Sequence, residues 1–195
     1  MQTNNFILEV PQGIPRRLAI GWLLLALASL VIGGLFTILI VLSRIPFSQT
    51  FIPWVDFFHT ALVVHVDLTV VVWFLAFAGV FWSLISTARC SCGWLPLLLA
   101  TVGTLIISAA PFLVGDAHPL MNNYVPVLKT PVFFIGLGLF GLGFTLLVLH
   151  GLLTSHPLHV AENGAGALRF GLFTALLMAL LAIIALIWSY FGIPS

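Results

Sequence analysis

Five unbroken apolar stretches, each long enough to cross a bilayer as a helix, constrain this chain more than any other feature. They cover about 18–42, 57–86, 94–114, 132–154 and 168–191, and ~20 helical residues cross a hydrocarbon core. A barrel strand would alternate polar and apolar residues, and these runs do not. Charged residues make up 6% of the chain and hydrophobic residues 62%, whereas a soluble domain carries roughly 25% charged residues. The fold class expected is an all-α polytopic transmembrane helix bundle of five helices, forming one transmembrane domain over residues 1–195. Six Lys and Arg against five Asp and Glu leave no charge excess to attract nucleic acid.

Loop punctuation separates the runs: Arg44-Ile45-Pro46, Arg89-Cys90-Ser91-Cys92-Gly93, Gly115-Asp116, His156-Pro157 and Gly164-Ala165-Gly166. The polar stretch from Met1 to Pro15 has no apolar core followed by a small-residue cleavage site, so no cleaved signal peptide is expected. Arg16, Arg17, Arg89 and Arg169 fall on one side of the membrane, and Arg44 and Lys129 on the other. The positive-inside rule then gives an N-in, C-out topology.

Three further segments carry expectations. Cys90 and Cys92 are separated by one residue, too close for an ordinary structural disulfide; free thiols in a loop are expected, and the pair alone is a weak metal signal. The connection from Gly115 to Pro126 reads as a proline-stiffened turn at the outer surface, with Tyr124 at the aromatic belt; a docking surface or lid is the other reading. Gly136, Gly138, Gly141 and Gly143 lie within the fourth run, where small residues let helix backbones approach closely.

The second run is the one that points to chemistry. His59, His65 and Asp67 lie within nine residues of membrane-embedded sequence, where an ionisable group is costly without a partner or a cavity. His59 and His65 are six residues apart, a turn of ~240°, so they cannot bind one ion from one side. Thr69 shares the face of His65, while Asp67 lies nearer the azimuth of His59. The helix is therefore expected to present a His65 face and a separate polar face of His59 and Asp67.

A neutral imidazole in a membrane is a good axial ligand for heme iron. A histidine hydrogen-bonded to a neighbouring carbonyl, or a proton relay through His59 and Asp67, are the alternatives. His150, on the fourth run, lies ~28 Å along its helix from Pro131 and is not expected to share a heme with His65. His118 is in the outer loop. His156 and His159 fall at the inner surface, as solvated residues or as a metal-holding pair. No arrangement of serine, cysteine or carboxylate suggests hydrolytic catalysis.

The run Val63-Val64-His65-Val66-Asp67-Leu68-Thr69-Val70-Val71-Val72-Trp73-Phe74-Leu75-Ala76-Phe77 resembles the second helix of subunit I of the heme-copper oxidases (cytochrome c oxidase subunit I-like). Leu42-Ser43-Arg44-Ile45-Pro46 and Asn122-Asn123-Tyr124-Val125-Pro126 support the resemblance. It extends over about the whole chain but matches only the first five of that family's helices. It implies that His65 is the axial ligand of a low-spin heme, with His59 as the alternate and Thr69 beside it. The family's paired His-His, His-x-His and His-x-x-x-Tyr motifs are absent from this sequence. Copper, a high-spin heme and the second low-spin ligand are therefore expected on a partner chain that carries the remaining helices.

The expectation is thus the N-terminal, heme-ligating portion of a split or truncated terminal oxidase subunit. It would take part in respiratory electron transport in a bacterial inner membrane, with other oxidase subunits, and would not be catalytic alone. The alternatives are a heme-free scaffold or assembly subunit and a self-contained membrane b-type cytochrome. A related nitric oxide reductase and a small proton-coupled transporter complete the set.

Overall fold

The first apolar run becomes helical where Gly13, at φ 88, turns the chain in a region L side chains rarely adopt, with a proline in the first turn that follows. The structure, a computed structural model, describes residues 11–45, 57–87, 91–114, 118–121, 125–155 and 164–191. Helix α1 spans Ile14–Ser43. Helix α2 spans Phe57–Ile85 and contains a π-helical stretch, Asp67–Val72, between two α-helical parts. A single 3-10 turn, Ser91–Gly93, leads into α3, Trp94–Leu113.

Two short strands follow, β1 (Pro119–Leu120) and β2 (Val127–Leu128), paired antiparallel with Pro119 opposite Leu128. Helix α4, Pro131–Thr154, starts where the Thr130 hydroxyl accepts from the Phe133 amide at 3.3 Å, an N-cap bond that satisfies one of the open donors of the first turn. Helix α5 spans Gly164–Phe191.

All five helices are long and apolar enough to cross a membrane. Their outer surfaces expose Leu24, Val31, Ile38, Leu105, Leu153 and Trp188, a covering suited to lipid and not to water. The chain is an integral, multi-pass membrane protein with an all-α bundle fold. Helices α1 and α5 begin before the apolar runs at 18 and 168: α1 takes in Arg16 and Arg17, and α5 takes in Gly164 and Gly166. Arginines at a helix end keep their heads in the interface while their stems cover apolar surface.

The interior is built on close helix approach. Trp22 of α1 is 1% exposed and lies over Gly79 of α2, where a methyl would come within 2.7 Å of the indole. Between α3 and α4, a Cβ on Gly103 would fall 2.5 Å from the Phe140 amide nitrogen, and one on Gly143 would fall 2.6 Å from the Pro96 carbonyl oxygen. Gly136 belongs to the same seam, whereas Gly138 and Gly141 face open space. The first and last glycines of the run, Gly136 and Gly143, therefore make the contact expected of it. The others lie on the opposite side of the helix.

Polar contacts tie the helix ends together. Arg44, just after α1, sits over the Phe58 ring of α2 at 3.9 Å, a cation–π contact. At the other end, the Thr87 amide and hydroxyl both donate to the Thr154 carbonyl, at 3.2 and 2.6 Å. The Ser86 and Thr154 hydroxyls meet at 2.9 Å. Cys92 is disulfide-bonded, which corrects the expectation of free thiols. The one-residue separation from Cys90 was the ground for that expectation, and Cys92 lies in a 3-10 turn. Cys90 lies outside the described residues.

Candidate functional site: a histidine held between the first two helices

His65 lies in the first part of α2, half-buried against the last third of α1. Its Nδ1 is 2.9 Å from the Gly33 carbonyl oxygen and 3.1 Å from the Thr37 hydroxyl. The Thr37 hydroxyl in turn donates to the same carbonyl at 3.3 Å. A carbonyl oxygen only accepts, so the proton of the neutral imidazole belongs on Nδ1, and Nε2 carries a free lone pair. Nε2 has no hydrogen bond to any described residue.

Two glycine and threonine positions make this seating fit. A Cβ on Gly33 would lie 2.5 Å from the Thr69 methyl, so only glycine lets α2 approach this closely. Thr69 shares the His65 side of α2, but its hydroxyl is engaged by the His65 carbonyl at 2.7 Å. It therefore steadies the backbone that carries the imidazole and leaves the ring free. Gly33 and Thr37 had gone unassigned in the sequence. The Gly33-Gly34 doublet and Thr37 are small or polar residues in a run of Leu and Ile, a visible sign of close packing, but their pairing with His65 depends on helix register.

The other polar residues of α2 separate. His59 is exposed, with its ring edge-on to Phe58 at 5.1 Å. Asp67 is 1% exposed, and neither carboxyl oxygen has a hydrogen-bond partner among the described residues. They do not form one polar face, contrary to expectation. Eight residues of helix separate them by ~80° of azimuth and ~12 Å of rise, enough to put one at the surface and the other in the core.

His150 is half-buried, and its Nε2 is buried without a partner among the described residues. A Cβ on Gly93 would lie 3.6 Å from the His150 ring and 2.5 Å from Leu18, which places His150 beside the start of α1. Leu18 and Gly33 are fifteen residues apart on that helix, ~22 Å of rise. His65 and His150 thus sit towards opposite ends of the bundle. His118 is exposed, and its carbonyl accepts from the Lys129 amide at 3.0 Å. His156, His159, Asp56 and Tyr124 lie outside the described residues. Among the described residues, no group of three or more His, Cys, Asp or Glu side chains is placed to hold a metal ion.

No protein-family model matches the chain, and no solved structure does. It is 27% identical over 198 residues to an uncharacterized protein of Rickettsia prowazekii (strain Madrid E), a match covering 89% of this chain and 38% of that protein. It is 37% identical over 126 residues to an uncharacterized protein of Aquifex aeolicus (strain VF5), covering 64% of this chain and 31% of the relative. The matches span about a third of the length of these curated relatives.

Proposed function

We propose that His65 is an axial ligand of a low-spin heme, and that the chain is the N-terminal portion of a subunit similar to subunit I of the heme-copper oxidases. The observation that carries this reading is the Nδ1 contact with the Gly33 carbonyl at 2.9 Å. Protein-held histidines present one ring nitrogen to a metal while the other donates to a carbonyl or carboxylate, which fixes tautomer and ring orientation. The donor chemistry at His65 fits heme iron on that ground.

When bound, such a heme supplies one-electron chemistry at its iron. The residues of this chain supply the setting. Gly33 and Thr37 hold the proton on Nδ1 and orient the ring. Buried Val63, Val64 and Leu68 keep water from the backbone behind it. His150, near the other end of α1, does not face His65. Any further residue holding the heme would come from additional helices, on a partner chain or in a longer protein. That chain would also hold the copper and high-spin heme that oxygen reduction requires. The relatives, roughly two to three times as long, are consistent with such a remainder.

In this reading the chain lies in a bacterial cytoplasmic membrane with its N-terminus inside, and it passes electrons without being catalytic alone. The test is a reduced-minus-oxidised spectrum of the chain purified together with its partner helices. Low-spin heme bands are expected in the wild type and in His59→Ala, and are lost in His65→Ala. Unchanged bands in His65→Ala overturn the assignment.

A further inference from the structure

The α2 surface beyond His65 is an aromatic ladder. Trp73 stacks on Phe77 with centroids 5.9 Å apart and ring planes 15° from parallel. Phe77 meets Phe81 edge-on at 5.3 Å, and Trp73 meets Phe74 at 5.7 Å. Phe74, Phe77 and Phe81 are exposed and Trp73 is half-buried. In an unbroken α-helix Trp73 would sit ~80° round from His65. The π-helical stretch Asp67–Val72 winds more slowly, by roughly 80° per residue. Its six residues take back roughly 110°, which brings Trp73 to within about 30° of the His65 azimuth.

The α1 surface at the level of the histidine is open. Thr37 is exposed, and a Cβ on Gly34 would meet nothing within 4 Å. A half-exposed imidazole with a free nitrogen therefore continues, on one helix face, into a stacked indole and phenyl ring. Acyl chains pack on any apolar surface. Rigid aromatic planes favour a flat, rigid partner through offset-stacked or edge-on contact.

We infer that Trp73 and Phe77 form the apolar platform against which the macrocycle ligated by His65 packs. This rests on the heme reading of His65 and adds to it the residues that retain the cofactor once the iron is bound. Trp73 and Phe77 are positioning residues here; His65 alone is the ligand.

The experiment uses the chain purified with its partner helices, as wild type, Trp73→Leu, Phe77→Leu, Trp73→Phe and His65→Ala. Heme loss to excess apomyoglobin is followed, together with thermal unfolding of each variant. Trp73→Leu and Phe77→Leu are expected to keep the low-spin spectrum and lose heme about tenfold faster, while Trp73→Phe stays near wild type. Tryptophan emission gives a readout independent of retention. The emission lost on Trp73→Phe is expected to be large in heme-depleted protein and nearly absent in loaded protein, where heme quenches Trp73. Equal loss rates, or unquenched Trp73 emission, overturn the platform and leave the ladder facing lipid or another helix. Heme lost in His65→Ala but held normally in the ladder variants overturns the platform alone. Heme retained in His65→Ala overturns the ligand assignment and the platform with it.

Discussion

His65 and Gly33 are joined across the α1–α2 seam by an imidazole-to-carbonyl contact of 2.9 Å. The bond links a side chain to backbone, so no substitution at position 33 removes the acceptor. Interhelical hydrogen bonds in membranes contribute about 0.6–2 kcal/mol, too little to hold two helices together. The contact matters more for where it puts the imidazole proton than for the stability it adds.

Gly33→Ala is expected to disturb this seam directly, since the new methyl would fall 2.5 Å from the Thr69 methyl. Overpacking of this kind costs about 1–3 kcal/mol. Thermal unfolding in detergent should show the loss, and Gly34→Ala, placed in open space, should unfold as wild type does.

Thr37→Val removes one of the two oxygens near Nδ1 and leaves the Gly33 carbonyl in place. The low-spin heme bands are expected to persist, with a stability cost near 1 kcal/mol for the lost hydrogen bonds. Loss of the bands would mean that the hydroxyl, and not the carbonyl, fixes the tautomer.

Asp67 is buried with neither carboxyl oxygen paired among the described residues, an arrangement that costs stability. Asp67→Leu, similarly branched but larger and apolar, is expected to raise stability by about 1 kcal/mol, the gain from removing unpaired oxygens being offset in part by tighter packing, and Asp67→Asn by less. Thermal unfolding measures both. A drop on Asp67→Leu would reveal a polar partner at this position.

The glycines of α3 and α4 should divide by face. Gly103→Val and Gly143→Val would drive side chains into backbone atoms of the opposing helix, whereas Gly138→Val and Gly141→Val extend into open space. The first pair is expected to abolish stable folding in detergent, as judged by size-exclusion profile, and the second pair to preserve it.

The spans were legible because lipid imposes its requirement on every residue of a run, so twenty apolar positions report one fact together. His65 was legible as an anomaly for the same reason. Its partners Gly33 and Thr37 were not, because contact between two helices depends on their relative rotation, which no single helix encodes. The pairing of His59 with Asp67 failed at a similar point: 80° of azimuth looks like one face on a wheel and becomes surface and core once neighbours pack. The glycine run in α4 was legible as a place of close helix approach, but which of its glycines face α3 depends on helix rotation. Nothing in Asp67-Leu68-Thr69-Val70-Val71-Val72 announces a π-helix, since hydrogen-bond register there is settled by the packing on both sides.

That wide turn in α2 bears on how the helix is compared with other membrane proteins. A π turn accommodates one residue more than an α turn, so it is equivalent to a single-residue insertion in an otherwise regular helix. Matching α2 without a gap to a helix that lacks the turn puts either His65 or Trp73 out of phase by about 100°. The segment up to Val66 and the segment from Trp73 onward should be aligned as separate blocks, with a one-residue gap allowed between them.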